Sequence, residues 1–181
     1  MTAAGWTLLT TSTLLFGAGG FAVRMPGAAN HERFAQAQVF GGFGCAGANR
    51  SPAIAWSEPP AGTMSFAITI FDPDAPTGHG WMHWTVFDLP AALRELPEGA
   101  GDAAHGRLPS GAIQARNDFG AFGYGGPCPP AGDHPHRYLI TVWALDIASL
   151  GLDARSSADD IAASLRRHAL GQAAVTLRYG R

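Results

Sequence analysis

Short segments in which apolar and polar residues alternate, separated by turns rich in Gly and Pro, recur along most of the chain. Successive side chains of a β-strand point to opposite faces, so this period predicts half-buried strands. The strands predicted in this way occupy residues 21–24, 34–40, 54–56, 65–71, 83–89, 136–145 and 173–179. Residues 93–115 show no period and are interpreted as a loop with room for one short strand.

Residues 156–170 follow the helical period instead. Ile161 and Leu165 fall on one face of the predicted helix, Ser157 suits its N-cap, and Gly171 suits the position after its last residue. Many short strands followed by a single helix are typical of an all-β (mainly β) domain. We therefore predict a two-sheet antiparallel Greek-key β-sandwich with a few short peripheral helices.

Composition narrows the class of protein. With 181 residues the chain is expected to form one domain, and 46% hydrophobic residues argue against disorder. The formal net charge is -2 and no basic run occurs. A basic patch is the usual electrostatic footprint of a protein that binds nucleic acid. Neither nucleic acid nor an anionic membrane surface is therefore expected as a partner.

The first 20 residues carry no charge and combine an apolar run with small residues near its end. They are interpreted as a signal peptide or an apolar N-terminal extension, with the folded domain at 21–181. The run is too short and too often broken by Gly for an integral membrane span. Export predicts a periplasmic or secreted location, in which Cys45 and Cys128 would form a disulfide; a cytoplasmic location with two free thiols is the alternative.

Three ionisable residues stand at the ends of predicted strands. Asp72 follows one apolar strand, His83 begins the next, and His136 begins a third. A buried carboxylate costs free energy unless it is paired, so Asp72 needs a partner, and neighbouring strands would bring both imidazoles to it. Protonated histidines, together with the amides of Gly125 and Gly126, would favour an anion.

The alternation of side chains along a strand predicts different roles for the residues around this cluster. Tyr138 shares the pocket face of its strand, whereas Arg137 points to the other face and is expected to hold the carboxylate of Asp74. Trp84 is expected in the core and Trp81 at the pocket rim.

Two longer motifs carry a family resemblance. FDPDAPTGHGWMHW at residues 71–84 and NDFGAFGYGGPCPPAGDHPHRY at 117–138 resemble the two signatures of the phosphatidylethanolamine-binding proteins, which include Raf kinase inhibitor protein. The sequences of the two motifs are most similar to those of the bacterial YbhB/YbcL-like branch. The resemblance extends from about Phe21 to the C-terminus. It implies two antiparallel sheets with small peripheral helices. It also implies a pocket for phosphate, acetate or a phospholipid head group, lined by Asp72, His83, Gly126, Pro129, Pro130, His136 and Tyr138.

The chemistry of these residues favours binding over catalysis. No G-x-S-x-G motif occurs, and Cys128 lies between prolines. An Asp–His pair without a nucleophile is more typical of a binding protein, so we expect no catalytic residue, metal or other cofactor. The resemblance allows a protein partner, a kinase or protease that the chain modulates.

Two other functions remain open at this stage. The cluster of Asp72, His83 and His136 could serve a hydrolase or a metal-dependent enzyme, with His134 as a further metal ligand. Pro135 argues against this, because it interrupts the strand between His134 and His136. The chain could also be an interaction protein whose pocket is filled by its own side chains.

One backbone prediction concerns Pro76 at the pocket rim. Two prolines straddle Asp74, where the chain must turn sharply after a buried strand. We therefore predict a cis Ala75–Pro76 bond, which the resemblance also suggests, although only about 5–6% of such bonds are cis in folded proteins.

Overall fold

A computed structural model describes residues 20–26, 33–104 and 106–181. The candidate signal segment therefore lies outside the described residues except for Gly20. The strands are β1 Ala22–Arg24, β2 Ile54–Ser57, β3 Ser65–Asp72, β4 Trp81–Pro90, β5 Glu95–Leu96, β6 Ile113–Gln114, β7 His136–Leu145 and β8 Ala169–Tyr179. The α-helix α1 spans Ala158–His168, and Gln36–Gln38 forms a single 3-10 turn.

The strands form two antiparallel sheets. One sheet has the order β6-β4-β3-β7-β8 and the other β1-β2-β5. The main core is apolar and includes Trp56 from the small sheet and Ile68, Trp84 and Ile140 from the large one. Burying one such side chain contributes about 1.5–3 kcal/mol. The predicted mainly β, two-sheet architecture is therefore confirmed.

Helix α1 covers the other face of the large sheet. Its buried residues Ile161 and Leu165 pack with Phe87 and Leu145 in a second apolar cluster. The Ser157 hydroxyl accepts a hydrogen bond from the amide of Asp160 at 3.1 Å, so the predicted N-cap is confirmed. Among the described residues, no helix combines the length and apolar content that a bilayer crossing requires.

The strand predicted at 34–40 is wrong. The segment contains the 3-10 turn Gln36–Gln38, and the side chain of Gln38 accepts a hydrogen bond from the amide of Ala35 at 2.9 Å. This local bond holds the backbone in a turn, which alternating apolar residues alone cannot reveal.

The end of α1 also differs from the prediction. The helix passes directly into β8 at Ala169, and Gly171 pairs with Ala144 inside the sheet instead of capping the helix. A Cβ on Gly171 would lie 3.0 Å from a ring carbon of Pro60, so this glycine permits close packing of the chain.

Candidate functional site

One end of the large sheet carries the predicted cluster. Strand β3 ends at Asp72 between β4 and β7, so Asp72 lies near both His83 and His136. All three side chains line a cavity of about 350 Å³. The complete lining is Phe43, Asp72, Ala75, Pro76, Thr77, Trp81, His83, Phe119, Cys128, Pro129, Pro130, His136, Tyr138 and Arg181.

Asp72 and His136 form a buried pair. The Asp72 Oδ2 atom accepts a hydrogen bond from His136 Nδ1 at 2.7 Å, and Asp72 Oδ1 accepts one from the amide of Asp74 at 2.8 Å. On the other side of the imidazole, Nε2 lies 3.4 Å from the carboxylate of the more exposed Asp133. Both oxygens of the buried carboxylate are therefore satisfied, which removes the cost of burying it unpaired.

A β-bulge directs His83 into the cavity. Ile70 pairs with Trp84 while the next β3 residue, Phe71, pairs with Met82, so His83 is an extra residue in β4. Bulges break the strict alternation of side chains. His83 consequently packs edge-on against Tyr138, with ring centroids 5.1 Å apart, although Trp84 belongs to the same core as Tyr138.

Burial favours the neutral form of His83 at pH 7, whereas the sequence suggested a protonated imidazole. Burial lowers its pKa, and its Nδ1 atom donates a hydrogen bond to the carbonyl of Gly125 at 2.7 Å. A carbonyl can only accept, so the proton of the neutral ring is on Nδ1. The Nε2 atom then carries a lone pair and can accept a hydrogen bond.

Tyr138 contributes a hydroxyl without a partner. The residue is 1% exposed, and its hydroxyl makes no hydrogen bond of normal geometry within the described part of the chain, although the Asp72 carboxylate lies close to it. Burial and the nearby Asp72 carboxylate both raise the pKa of the phenol, so it stays protonated. A buried hydroxyl without a partner costs free energy that a ligand in the cavity could recover.

Gly125 and Gly126 lie behind the cavity wall rather than on it. The Gly125 amide donates to the carbonyl of His83 at 2.9 Å, and the Gly126 amide donates to the side chain of Asn49 at 2.7 Å. Their amides are therefore not free for an anion. A Cβ on Gly126 would lie 2.2 Å from the carbonyl oxygen of Gln38. The close packing of the backbone therefore accounts for a glycine at this position.

Arg137 and Asp74 form the predicted ion pair at the rim. The guanidinium donates to Asp74 at 2.9 Å and 2.6 Å, and the Arg137 amide donates at 2.8 Å. These bonds lower the pKa of the Asp74 carboxyl well below its ordinary value. The pair holds the turn after β3 against the start of β7.

The Ala75–Pro76 bond is trans, so the cis prediction is wrong. The turn closes through hydrogen bonds from the amide of Asp74 to the Asp72 side chain and from the amide of Thr77 to the carbonyl of Ala75, each at 2.8 Å. A side-chain-capped turn reverses the chain without a cis bond. Pro76 lines the cavity, as expected.

A disulfide joins two loops at the cavity mouth. Cys45 and Cys128 are bonded, with Cα atoms 6.0 Å apart. The predicted bridge is confirmed, and it ties the loop that carries Phe43 to the loop that carries Pro129 and Pro130.

The described residues contain no cluster of three or more potential metal ligands. His134 is exposed, although its ring centroid lies 5.5 Å from that of His136.

Comparison with known proteins gives the family. The family model described as "Phosphatidylethanolamine-binding protein" matches residues 30–180. The chain belongs to the phosphatidylethanolamine-binding protein family. The UPF0098 protein YbcL of Escherichia coli is 44% identical over 173 residues, which is 96% of this chain and 94% of YbcL. The crystal structure of E. coli YbcL superposes with a TM-score of 0.85 at 45% identity and covers 89% of this chain and 98% of that one.

Two further relatives show the same relationship. The UPF0098 protein YbhB of E. coli is 44% identical over 148 residues, 82% of this chain and 92% of YbhB. The putative lipoprotein LppC of Mycobacterium tuberculosis is 37% identical over 131 residues, 72% of this chain and 60% of LppC.

This phosphatidylethanolamine-binding protein family member has an aromatic cavity wall that strand patterns did not reveal. Phe119 stacks on Phe40 at 4.4 Å and meets Trp81 and His83 edge-on, each at 5.4 Å. Phe43 extends the stack to the mouth and is 76% exposed. The signal available in the sequence was a Phe within a Gly-rich stretch.

Arg181 is the second residue that the sequence did not single out. Its guanidinium donates to the carbonyl of Pro129 at 2.7 Å and to that of Phe43 at 3.1 Å. Its Nη1 atom makes no hydrogen bond to the described residues. Arg181 lines the cavity, whereas Arg137, whose charge is balanced by Asp74, does not. No pattern in the sequence links position 181 to the pocket.

Proposed function

We propose that this family member is a non-catalytic binding protein whose cavity holds a small anion or a phosphorylated head group. The observation that carries the proposal is the buried, unpartnered hydroxyl of Tyr138, which lies beside the accepting face of His83 and the Asp72–His136 pair. A fixed donor and a fixed acceptor at the floor of a mainly apolar cavity are typical of a built ligand site.

The arrangement favours a singly protonated phosphate. Tyr138 can donate to one phosphate oxygen, Arg181 supplies positive charge at the wall, and neutral His83 can accept from a phosphate hydroxyl. Phosphate monoesters have a second pKa of about 6, so the monoanion becomes abundant below neutral pH. Affinity is therefore expected to rise as the pH falls from 7.5 to 6. The aromatic wall would contact the apolar part of a larger ligand.

Binding without chemical turnover is favoured by the state of the candidate nucleophiles. Cys128 is in a disulfide, and the Thr77 hydroxyl donates to the carbonyl of Gly80 at 2.6 Å. Burial raises the pKa of Tyr138, which makes it a poor nucleophile. The lining therefore offers no activated nucleophile for a hydrolase.

We also propose an oxidising location, periplasmic or secreted. The disulfide supports this location, because such bonds persist mainly outside the reducing cytosol. Similarity to a protein named as a lipoprotein supports it as well. A protein partner would meet the ligand at the cavity mouth, where Phe43 is exposed.

Isothermal titration calorimetry with phosphate, phosphoserine and phosphoethanolamine tests the proposal. We expect measurable binding by the native chain and at least about tenfold weaker binding by Tyr138→Phe, which loses one charge-assisted hydrogen bond. His79→Ala removes an exposed imidazole outside the cavity and serves as the control. No binding of any of the three compounds would overturn the proposal, as would equal affinity of the Tyr138→Phe variant.

A further inference from the structure

We propose that a second cavity, of about 500 Å³, is a separate binding site for a phosphate group that carries an apolar substituent. It lies beside the end of β8, where Arg178 and Tyr179 meet Arg33 and Phe34. The two cavities have no lining residue in common. The segment 134–136 separates them, because His134 lines the second cavity and His136 the first.

The second cavity has a positive wall. Arg33 and Arg178 are direct backbone neighbours in a parallel bridge, and both are exposed. Across the sheet, Arg178 also pairs with Arg137, whose charge is balanced by Asp74 at 2.6 Å. Within the part of the chain that the structure describes, no carboxylate forms an ion pair with Arg33 or Arg178, and none lines this cavity.

The two arginines are neighbours in the backbone bridge and both line the cavity, an arrangement that favours a phosphate ligand. Like charges at paired positions repel each other, and a multiply charged anion placed between them removes that repulsion. The planar guanidinium fork matches phosphate oxygens and forms two parallel hydrogen bonds. His134 also lines this cavity and can donate a hydrogen bond from a ring nitrogen.

The remaining lining is apolar. Phe34 is 6% exposed and packs edge-on against Tyr138 with centroids 5.2 Å apart, so its position is fixed. Pro135 and the half-buried ring of Tyr179 complete this side. A phosphate monoester with an aryl or acyl substituent could place its charge on the arginines and its apolar group against these rings. It should therefore bind more tightly than inorganic phosphate.

An NMR titration of backbone amides tests the site. Inorganic phosphate and phenyl phosphate are added separately to the native chain and to Arg33→Gln, Arg178→Gln and Arg166→Gln. Arg166 is an exposed arginine of α1 outside this cavity, and its variant controls for the lost charge. We expect ligand-dependent shifts at Arg178 and Gly180, and about tenfold weaker binding when either cavity arginine is replaced.

The outcomes separate this site from the first cavity. Tyr138→Phe should leave the shifts at Arg178 and Gly180 unchanged, because its hydroxyl belongs to the first cavity. Unshifted amides at these positions, or equal losses for Arg178→Gln and Arg166→Gln, would overturn the second site. Equal affinity for the two probes would overturn the assignment of an apolar substituent. Raising the salt concentration should weaken the binding of both probes, because salt screens the charges of the exposed arginines.

Discussion

His136 Nδ1 and Asp72 Oδ2 lie 2.7 Å apart, and their side chains are only 1% and 4% exposed. Removing the imidazole leaves a buried carboxylate with a single amide donor from Asp74. We predict that His136→Ala lowers the free energy of unfolding by about 3–5 kcal/mol, the usual cost of breaking a buried pair. Urea unfolding at pH 7 measures this change.

The complementary variant provides the control. In Asp72→Asn the single amide oxygen can accept from His136 or from the amide of Asp74, so one hydrogen bond is lost but no charge is stranded. This variant should lose less stability than His136→Ala. If both variants unfold at the native urea concentration, the pair does not stabilise the fold.

The Cys45–Cys128 bridge closes a loop with a sequence separation of 83. On the loop-entropy model such a bridge contributes about 4 kcal/mol. We predict that a Cys45→Ser and Cys128→Ser double variant loses a comparable free energy of unfolding. Its affinity for phosphate should fall as well, because the bridge holds the loops of Phe43 and Pro129. Unchanged affinity would show that the loops stay in place without the bridge.

Regular strands were predictable, and long-range loop contacts were not. In β7 alternation correctly placed Tyr138 on the face of His136, and Ile140 and Val142 on that face are buried too, because the pairing with β3 runs without a bulge. In β4 strict alternation would place Leu89 and Trp84 on opposite faces, but both belong to one core because Asp88 adopts a φ of 58° and the register shifts there.

In the site, too, residues on strands were predictable and residues on loops were not. Asp72, His83 and His136 could be assembled from the sequence because each stands at a strand end. The aromatic wall could not, because Phe43 and Phe119 come from loops whose contact depends on the whole fold. Burial lowers the pKa of His83, and its contact with Phe119 was equally hidden.

Asp74 makes the rim sensitive to acid. Its folded pKa is lowered by Arg137, so its contribution to stability is complete above its ordinary value of 3.8 and is lost as the pH falls below that value. We predict that the native chain is more stable than Asp74→Asn at pH 6 and that this difference shrinks below pH 3.8. Urea unfolding of both variants across this range measures it. A constant difference would contradict the ion pair.

His83 gives a dependence in the same direction, but at higher pH than Asp74. Its folded pKa lies below the ordinary value of 6.5, so the unfolded chain binds the proton more readily and stability is lost as the pH falls below 6.5. His83→Asn can keep the hydrogen bond to Gly125 without titrating. We predict a weaker loss of stability between pH 7 and pH 5 for this variant than for the native chain. His79→Asn, at an exposed position, should match the native chain.

The most direct test of the central claim is ¹⁵N NMR of the histidine rings during a phosphate titration. Before phosphate is added at pH 7, His83 should show a protonated Nδ1 and an unprotonated Nε2. The account predicts that phosphate shifts the Nε2 signal of His83 together with the signals of His136, and that Tyr138→Phe weakens this response. Phosphate binding that leaves both histidines unchanged while His134 responds would place the ligand only in the second cavity and contradict the account.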